Sequence, residues 1–434
     1  MLSGFLSAFR TPDLRKKIFF TLGIIALYRL GVAIPTPGVD YGNIQQCQTE
    51  FSGETNQAFE VLNLFSGGAL LQLSIFALGI MPYITAAIIV QLLRVLIPRF
   101  ETLHKEGAEG QAKLTQYTRY ITVGFAALQS ASFITLARND VFFPTCPLPV
   151  IPNESWNVIA LMVLTMTAGT VLIMWLGERI TERGVGNGMS LLIFTSIAAS
   201  FPPAAATIGS SSNAVRNSVI VGVVILIVIA AVVFVEQSQR RIPVQYAKRM
   251  VGRKTLGGSS TYIPIKINMA GIIPVIFASS LLMLPTVVVQ FQGQDPDGWV
   301  LWLQNNVADP ASPINIVLYA LLIIFFAYFY TAITFNPDDV ADNMKKYGGF
   351  VPGIRPGAPT AEFLNYVLSR ITAAGSLYLA IVALVPTIVF IALGLNANIP
   401  FGGASILILV GVGLDTVKRI QSQLEQRHYE GFLK

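Results

Sequence analysis

The residues that most often carry covalent or metal chemistry are few and isolated in this sequence. The two histidines, His104 and His428, stand in polar segments and show no metal-ligand spacing. The stretch GERITERGVGNG, residues 177–188, is a glycine-bearing loop between two apolar runs and lacks the strand–turn–helix context of a phosphate-binding loop. No serine or cysteine is paired with a base in a way that indicates nucleophilic catalysis. We therefore predict no enzyme activity, no metal site and no cofactor.

Aliphatic residues at helical spacing recur in four apolar runs. Residues four apart share one face of a helix, and neighbouring glycines and prolines loosen the helix beside some of them. Such residues commonly face lipid or a packed core, so they indicate a shared site only if all of them converge at one depth. The positions are Ile80 with Ile84, Met189 with Ile193, Ile276, and Ile408.

The stretch FSGGALLQLSIF, Phe65–Phe76, is apolar enough to enter a membrane and too short to cross one. Twelve helical residues rise about 18 Å, roughly half of a bilayer. A backbone that ends inside hydrocarbon is tolerated only within protein or beside a cavity, which predicts a half-helix inside a bundle. The pair Gly67–Gly68 weakens that helix. Either a removable stopper or a static packing element fits this pattern.

The elements that must position these residues are long apolar runs. The sequence has 434 residues, of which 53% are hydrophobic and 12% charged, whereas a soluble chain carries about 25% charged residues. This composition predicts an all-α, polytopic membrane protein. Ten spans are expected, at about 18–36, 76–97, 119–138, 156–176, 188–205, 217–236, 270–290, 314–335, 366–394 and 404–422.

The distribution of positive charge predicts the topology. An even number of spans puts both termini on one side of the membrane, and lysine and arginine are enriched on the cytoplasmic side. All 29 of these residues except Arg29, Arg138 and Arg216 fall in the termini, in the loops on that same side or within a few residues of them. Both termini are therefore predicted to be cytoplasmic.

The ten spans divide into two sets of five, at residues 1–208 and 209–434. Because five is odd, the second set enters the membrane in the opposite sense to the first. This is the layout of an inverted repeat, with a functional pathway expected between the halves.

Two long loops of the second half, at about 237–268 and 336–362, are basic and partly apolar. By composition alone, two explanations fit equally well: positive charge that sets the membrane topology, or a docking surface. The length of the loops and their alternating apolar positions favour docking of a nucleic acid or an acidic protein. The PGIRPG turn presents Arg355 between two Pro-Gly pairs.

The two cysteines, Cys47 and Cys146, both fall in predicted outer loops, where oxidation is possible. The sequence leaves two interpretations open: a disulfide between these cysteines, or two unrelated thiols.

Several motifs, in order along nearly the whole chain, resemble the SecY/Sec61-alpha family of protein translocase channels, in its bacterial form. They are NLFSGGAL, FALGIMPYITA, GERITERGVGNGMS, QRRIPVQYAKR, NMAGIIPVIFASS, GGFVPGIRPG and FGGASILI. The resemblance implies two inverted five-helix halves around an hourglass pore in the bacterial plasma membrane. Such a pore passes unfolded preproteins and releases signal sequences and transmembrane segments sideways into lipid.

The resemblance also implies roles for individual residues. The family's apolar pore ring maps onto Ile80, Ile84, Met189, Ile193, Ile276 and Ile408, with methionine at one position where isoleucine is commoner. Its plug maps onto 63–74, with Asn63, Phe65, Ser66, Gly67, Gly68, Ala69, Leu70 and Leu71. Its lateral-gate polar residues map onto Thr85, Gln129 and Asn268.

The family's partners are implied as well. They are the small membrane subunits SecE and SecG, the ATPase SecA, the ribosome with its RNA, and membrane lipids. SecA and the ribosome are expected to dock on the two long loops. The residues expected to bind them are Arg240, Arg241, Lys248, Arg249 and Arg355.

A secondary transporter of small solutes is the main alternative, because it also uses inverted repeats and broken helices. It should show buried polar or acidic clusters for coupling ions, and isoleucines surround the broken region instead. An intramembrane protease would need a Ser/His pair or paired aspartates within spans. Two charges within spans, Arg29 and Asp415, are expected to face protein and to contact neighbouring helices or lipid head groups, with a mutual pair as the lesser alternative.

Overall fold

The computed structural model describes residues 11–50, 63, 66–138, 142, 146–153, 155–209, 214–246, 249–251, 254–256, 260–291, 298–309, 311–393 and 403–431. Its helices are α1 (Pro12–Val32), α2 (Tyr41–Glu50), α3 (Met81–Leu96), α4 (Pro98–Lys105), α5 (Ala108–Arg138), α6 (Trp156–Arg183), α7 (Gly188–Gly209), α8 (Ala214–Gln237), α9 (Ile273–Phe291), α10 (Gly298–Leu303), α11 (Pro313–Thr334), α12 (Pro337–Lys346), α13 (Ala358–Ala392) and α14 (Gly403–Gly431). The strands are β1 (Gln239–Tyr246), β2 (Arg249–Val251), β3 (Lys254–Leu256), β4 (Ser260–Lys266) and β5 (Gly349–Phe350), and a π-helical turn covers Gln304–Ala308.

A helix lies on each of the predicted spans within these ranges. An apolar, charge-free run favours a helix in lipid because a helix satisfies all of its backbone groups internally. Among the described residues, five helices are long and apolar enough to cross a membrane, namely α5, α6, α8, α11 and α13, and the bent pair α3–α4 makes a sixth if it counts as one span. The chain is thus a multi-pass helical protein, and the count of ten spans stays a prediction.

The second predicted span begins later than expected. The prediction placed its start near residue 76, but α3 begins at Met81, and residues 75–80 form turns. Gly79 has a positive φ of 56°, which a continuous helix does not allow, and Pro82 stands in the first helical turn. At its other end α3 meets α4 at a bend of 98° next to Pro98.

The helices of the two predicted halves have the same neighbours. In the first set α1 packs against α6 and α7, α3 against α5, α5 against α6, and α6 against α7. In the second set α8 packs against α13 and α14, α9 against α11, α11 against α13, and α13 against α14. In both sets the first span contacts the fourth and fifth, and the second contacts the third. Contacts between the sets run from α7 to α8 and α14.

The two long loops of the second half form one folded unit, which the all-α prediction did not include. Strand β1 pairs antiparallel with β4, and its last residues pair with β5 from the other loop. The alternation of buried Ile242 and Val244 with exposed neighbours is the period-two pattern of a strand with one buried face. These side chains pack with Ile265 and Leu364 in a common core, so the ribbon rests on the start of α13.

A disulfide joins Cys47 of α2 to Cys146, with 5.6 Å between the Cα atoms. Of the two open readings of these cysteines, the disulfide is therefore confirmed. Both cysteines are buried in a hydrophobic cluster with residues of α2, α5 and α6. Leu70 and Leu73 of the 63–74 segment belong to the same cluster, so the cross-link holds the surface on which that segment packs.

Candidate functional site

The six apolar residues singled out from the sequence meet in one hydrophobic cluster. Five of them have exposed fractions between 0% and 9%, and Ile84 is partly buried and packs against the cluster to which the other five belong. They come from α7 and the start of α3 in the first set and from α9 and α14 in the second. The six side chains therefore share one hydrophobic cluster, and their position at one depth of the membrane stays a prediction. The set is Ile80, Ile84, Met189, Ile193, Ile276 and Ile408, and we call it the apolar set.

Local sequence positions these side chains at helix starts. Ile80 is the N-cap residue of α3, and Ile276 lies in the first turn of α9. Asn187 caps α7, because its Oδ1 accepts a hydrogen bond of 3.1 Å from the backbone nitrogen of Met189. Helices α6 and α7 approach closely there: a Cβ on Gly177 would lie 2.5 Å from Sδ of Met189. The missing side chain at Gly177 therefore makes room for the methionine.

The 63–74 segment is not the half-helix that the sequence predicted. Ser66 is helical, and residues 67–73 form successive turns. Gly67 and Gly68 have positive φ angles of 69° and 93°, and Leu73 has a φ of 44°. Helix cannot continue through such residues, so the glycine pair ends it and does not merely weaken it. Phe65 lies outside the described residues.

The segment is buried and tied down through its main chain. Ser66, Gly67, Ala69 and Leu70 are buried, and Ala69 packs in the same cluster as the apolar set. Its internal hydrogen bonds include Leu71 N to Asn63 Oδ1 at 3.2 Å and Leu70 N to Ser66 Oγ at 3.1 Å. Backbone bonds of 3.0 Å join Ile75 N to Ile34 O and Thr36 N to Leu73 O, which ties the segment to the chain after α1.

The intramembrane charge Arg29 binds this segment. Its Nη1 donates a hydrogen bond of 2.9 Å to the carbonyl oxygen of Gly67. Asp415 instead pairs with Arg419 at 2.8 Å, one turn further along α14. The mutual pair considered from the sequence is therefore wrong, and the expected contact with other parts of the protein is confirmed for Arg29. Sequence reasoning missed its neighbour Tyr28, which is fully buried and contacts both Ser66 and Ser196.

A cavity of about 500 Å³ lies between α3 and α5 on one side and α9 and α11 on the other. Its wall is mainly apolar, with Phe277 and Phe326 facing Leu70 of the 63–74 segment. Thr85 and Gln129, two of the three predicted gate residues, lie on this wall. The structure therefore brings these two together at a junction between the two sets of helices.

Asn268, the third predicted gate residue, is not among the residues that line this cavity. It is buried before α9, where its Nδ2 donates to Glu236 Oε1 at 2.6 Å and to the carbonyl oxygen of Gly271 at 3.1 Å. Lys418 Nζ donates to the carbonyl oxygen of Glu236 at 3.1 Å. Asn268 thus links the end of α8 to the chain just before α9, and Lys418 of α14 contacts the same end of α8.

Three of the five predicted docking residues lie on the described part of the folded loop unit. Arg240 and Arg241 are exposed on β1, and the guanidinium of Arg241 stacks over the ring of Tyr262 with 4.9 Å to its centroid. Arg355 is exposed between Gly353 and Gly357, whose positive φ angles of 84° and 106° shape the turn. Lys248 lies outside the described residues, and so does the side chain of Arg249, whose backbone is part of β2.

Among the described residues, no group of three or more His, Cys, Asp or Glu side chains could hold a metal ion.

The fold matches solved protein-conducting channels. A structure described as that of a protein conducting channel aligns with a TM-score of 0.60 at 18% identity, covering 93% of this chain and 91% of that chain. A structure concerned with the SecY plug domain aligns with a TM-score of 0.59, and canine Sec61 from a ribosome-channel complex with 0.58, both with the same coverage. At this identity the comparison defines a class, the helical channel fold of SecY and Sec61 structures.

Sequence comparison defines the family. The SecY family profile matches residues 74–417. The protein translocase subunit SecY of Streptomyces scabiei is 60% identical over 439 residues, and that of Mycobacterium bovis is 56% identical over 443, each covering both chains completely. The chain belongs to the SecY family, so the resemblance drawn from its motifs is confirmed. A SecY subunit is a channel-forming part of a translocase and not an enzyme.

A substitution of Asn268 can distinguish a structural role of this residue from a gating role. Asn268→Leu leaves the half-buried carboxylate of Glu236 without its donor, which costs about 1–3 kcal/mol. We expect a lower apparent melting temperature of the purified protein, whereas Thr85→Val, which removes only a bond to its own helix at Met81, serves as the matched control. If the melting temperature is unchanged and signal-sequence selectivity is altered, Asn268 has a gating role and not a structural one.

Proposed function

We propose that this chain is the central pore of a bacterial Sec translocon. It passes unfolded preproteins across the plasma membrane and releases signal sequences and transmembrane segments sideways into lipid. The apolar set forms the constriction, and the 63–74 segment is the plug that seals it. The observation that carries the proposal is that six apolar side chains from four helices of both sets share one hydrophobic cluster, to which Ala69 of the plug also belongs.

The chemistry of the apolar set suits a channel for chains of any sequence. Aliphatic side chains offer no hydrogen bonds, so they favour no particular peptide, and a narrow apolar constriction excludes ions by dewetting. A coupling-ion site of a solute transporter needs polar or charged ligands at this depth. Met189 keeps the constriction apolar and adds flexibility. These properties favour translocation over solute transport.

The cavity between α3–α5 and α9–α11 is proposed as the lateral gate. A signal sequence is an apolar helix, and a mainly apolar cavity between the two sets can accept it at little desolvation cost. Thr85 and Gln129 would set how easily the gate opens, whereas Asn268 would brace the helix ends beside it. The identical neighbour pattern in the two sets supports a division into an N-terminal half, 1–208, and a C-terminal half, 209–434, related as inverted repeats.

The folded loop unit is proposed as the cytoplasmic docking surface, with both termini on the same side. Its exposed arginines, Arg240, Arg241 and Arg355, suit an acidic protein surface or RNA. The partners proposed from family membership are the SecA ATPase and the ribosome with its RNA, together with the membrane subunits SecE and SecG and membrane lipids. One solved relative, canine Sec61, is described in a ribosome-channel complex, which supports the ribosome as a partner.

The double substitution Ile276→Asn with Ile408→Asn tests the constriction. Two amides should let water and ions enter, so we expect ion leak through the reconstituted complex to rise about tenfold or more. Preproteins with defective signal sequences should also be tolerated better. The matched control is Ile276→Val with Ile408→Val, which keeps the wall apolar. If leak and signal tolerance both stay at the wild-type level, the apolar set is not the constriction.

Reversing the charge of Arg355 tests the docking surface. Arg355→Glu should abolish SecA-driven translocation into vesicles because it places a carboxylate where an acidic partner is expected to bind. Insertion of the protein itself into the membrane should stay intact. Lys346→Glu on α12 makes the same charge change in the same loop and should have a smaller effect. ATP-dependent export at the wild-type rate in Arg355→Glu would contradict the docking role.

A further inference from the structure

Three polar side chains from two helices of the first half lie against the plug, and one of them, Arg29, binds its main chain directly. Arg29 of α1 donates to the carbonyl oxygen of Gly67 at 2.9 Å. The hydroxyl of Tyr28 lies 3.4 Å from the carbonyl oxygen of Ser66 and 2.7 Å from Oγ of Ser196 on α7. Ser196 in turn donates to the carbonyl oxygen of Leu192 in its own helix at 3.0 Å. Successive carbonyl groups of the plug are thus approached from α1.

These contacts are strong for their surroundings. A hydrogen bond from a guanidinium is charge-assisted and stronger than one between neutral groups. The Arg29 side chain is half-buried, whereas exclusion of water strengthens the bond between its neighbours Tyr28 and Ser196. Tyr28 and Ser196 are fully buried, and Ser66 is 2% exposed. An arginine within a span is costly unless protein groups satisfy it. The carbonyl of Gly67 is available to do so because the positive φ of Gly67 and Gly68 ends the helix there.

Residue 67 must be glycine for this arrangement to form. A Cβ at that position would lie 3.0 Å from Nη1 of Arg29 and 3.1 Å from Cα of Ser196. The backbone φ of 69° would also strain any other residue. The glycine therefore brings the plug main chain within reach of both α1 and α7. The neighbouring Gly68, by contrast, has open space where its Cβ would be.

We infer that Arg29, flanked by the hydrogen-bonded pair Tyr28–Ser196, forms a latch that holds the plug closed by binding its main chain at Gly67. The inference rests on the proposed function of the plug. Because the latch binds carbonyl groups, it is indifferent to the plug's side chains. Because α1 and α7 both belong to the first half, the plug stays with that half when the gate between α3 and α9 opens. The three residues therefore act as positioning residues for the plug.

The latch is tested by hydrogen exchange of the plug and by ion leak. Arg29→Met removes the donor while keeping an unbranched side chain, so amides in residues 66–71 of the purified complex should exchange about tenfold faster or more. Ion leak across a planar bilayer should rise by a similar factor. Arg29→Lys keeps a charged donor and should recover most of the closure. Tyr28→Phe should show a smaller effect in the same direction.

The controls separate the latch from a general loss of structure and from the proposed function. Arg216→Met removes an exposed arginine at the start of α8 and should change neither readout. Faster exchange confined to the plug supports the latch, whereas exchange at the wild-type rate in Arg29→Met overturns it. Faster exchange spread equally over α1 and α7 also overturns it, because Arg29 would then stabilise the bundle. If the Ile276→Asn, Ile408→Asn protein leaks ions and the Arg29→Met protein does not, the latch proposal is wrong and the proposed constriction still stands.

Discussion

The central constraint on this structure is that main chain inside a membrane needs protein partners for its polar groups. Residues 67–73 of the 63–74 segment form successive turns. Such turns cannot satisfy all of their backbone hydrogen-bonding groups among themselves, as a helix does. Its amides and carbonyls bind Asn63, Ser66, Arg29 and the chain that follows α1. The surrounding helices are arranged to enclose it, and the Cys47–Cys146 disulfide secures the packing surface on its other side.

This enclosure places two different environments against the same short segment. Ala69 belongs to the same hydrophobic cluster as the apolar set, where aliphatic side chains from both halves meet, while the carbonyl oxygen of Gly67 accepts a hydrogen bond from the half-buried Arg29. The apolar contacts are weakly directional, and the polar ones fix one position of the main chain. A seal of this kind combines a barrier that does not recognise sequence with a closed state that has a defined geometry.

Most spans could be predicted from sequence because lipid imposes one simple rule on the backbone. The apolar set could be singled out because it consists of two aliphatic pairs at helical spacing, at the start of α3 and in α7, and one isoleucine each in α9 and α14. The folded loop unit could not, since the pairing of Tyr246 with Gly349 joins residues far apart in the chain. The partner of Asn268 is Glu236 on another helix, and no local pattern signals it. The glycine pair signalled a weak helix, but the turn itself depends on Arg29 and on the backbone at Ile34.

The central proposal is that the apolar set surrounds a passing polypeptide. Photo-crosslinking from single positions to a preprotein stalled during translocation tests this most directly. A photoreactive residue at Ile84 or Ile408 should crosslink to the stalled chain, and one at Ile227, which is 62% exposed on α8, should not. Crosslinks to lipid from the apolar set, with none to the preprotein, would contradict the account.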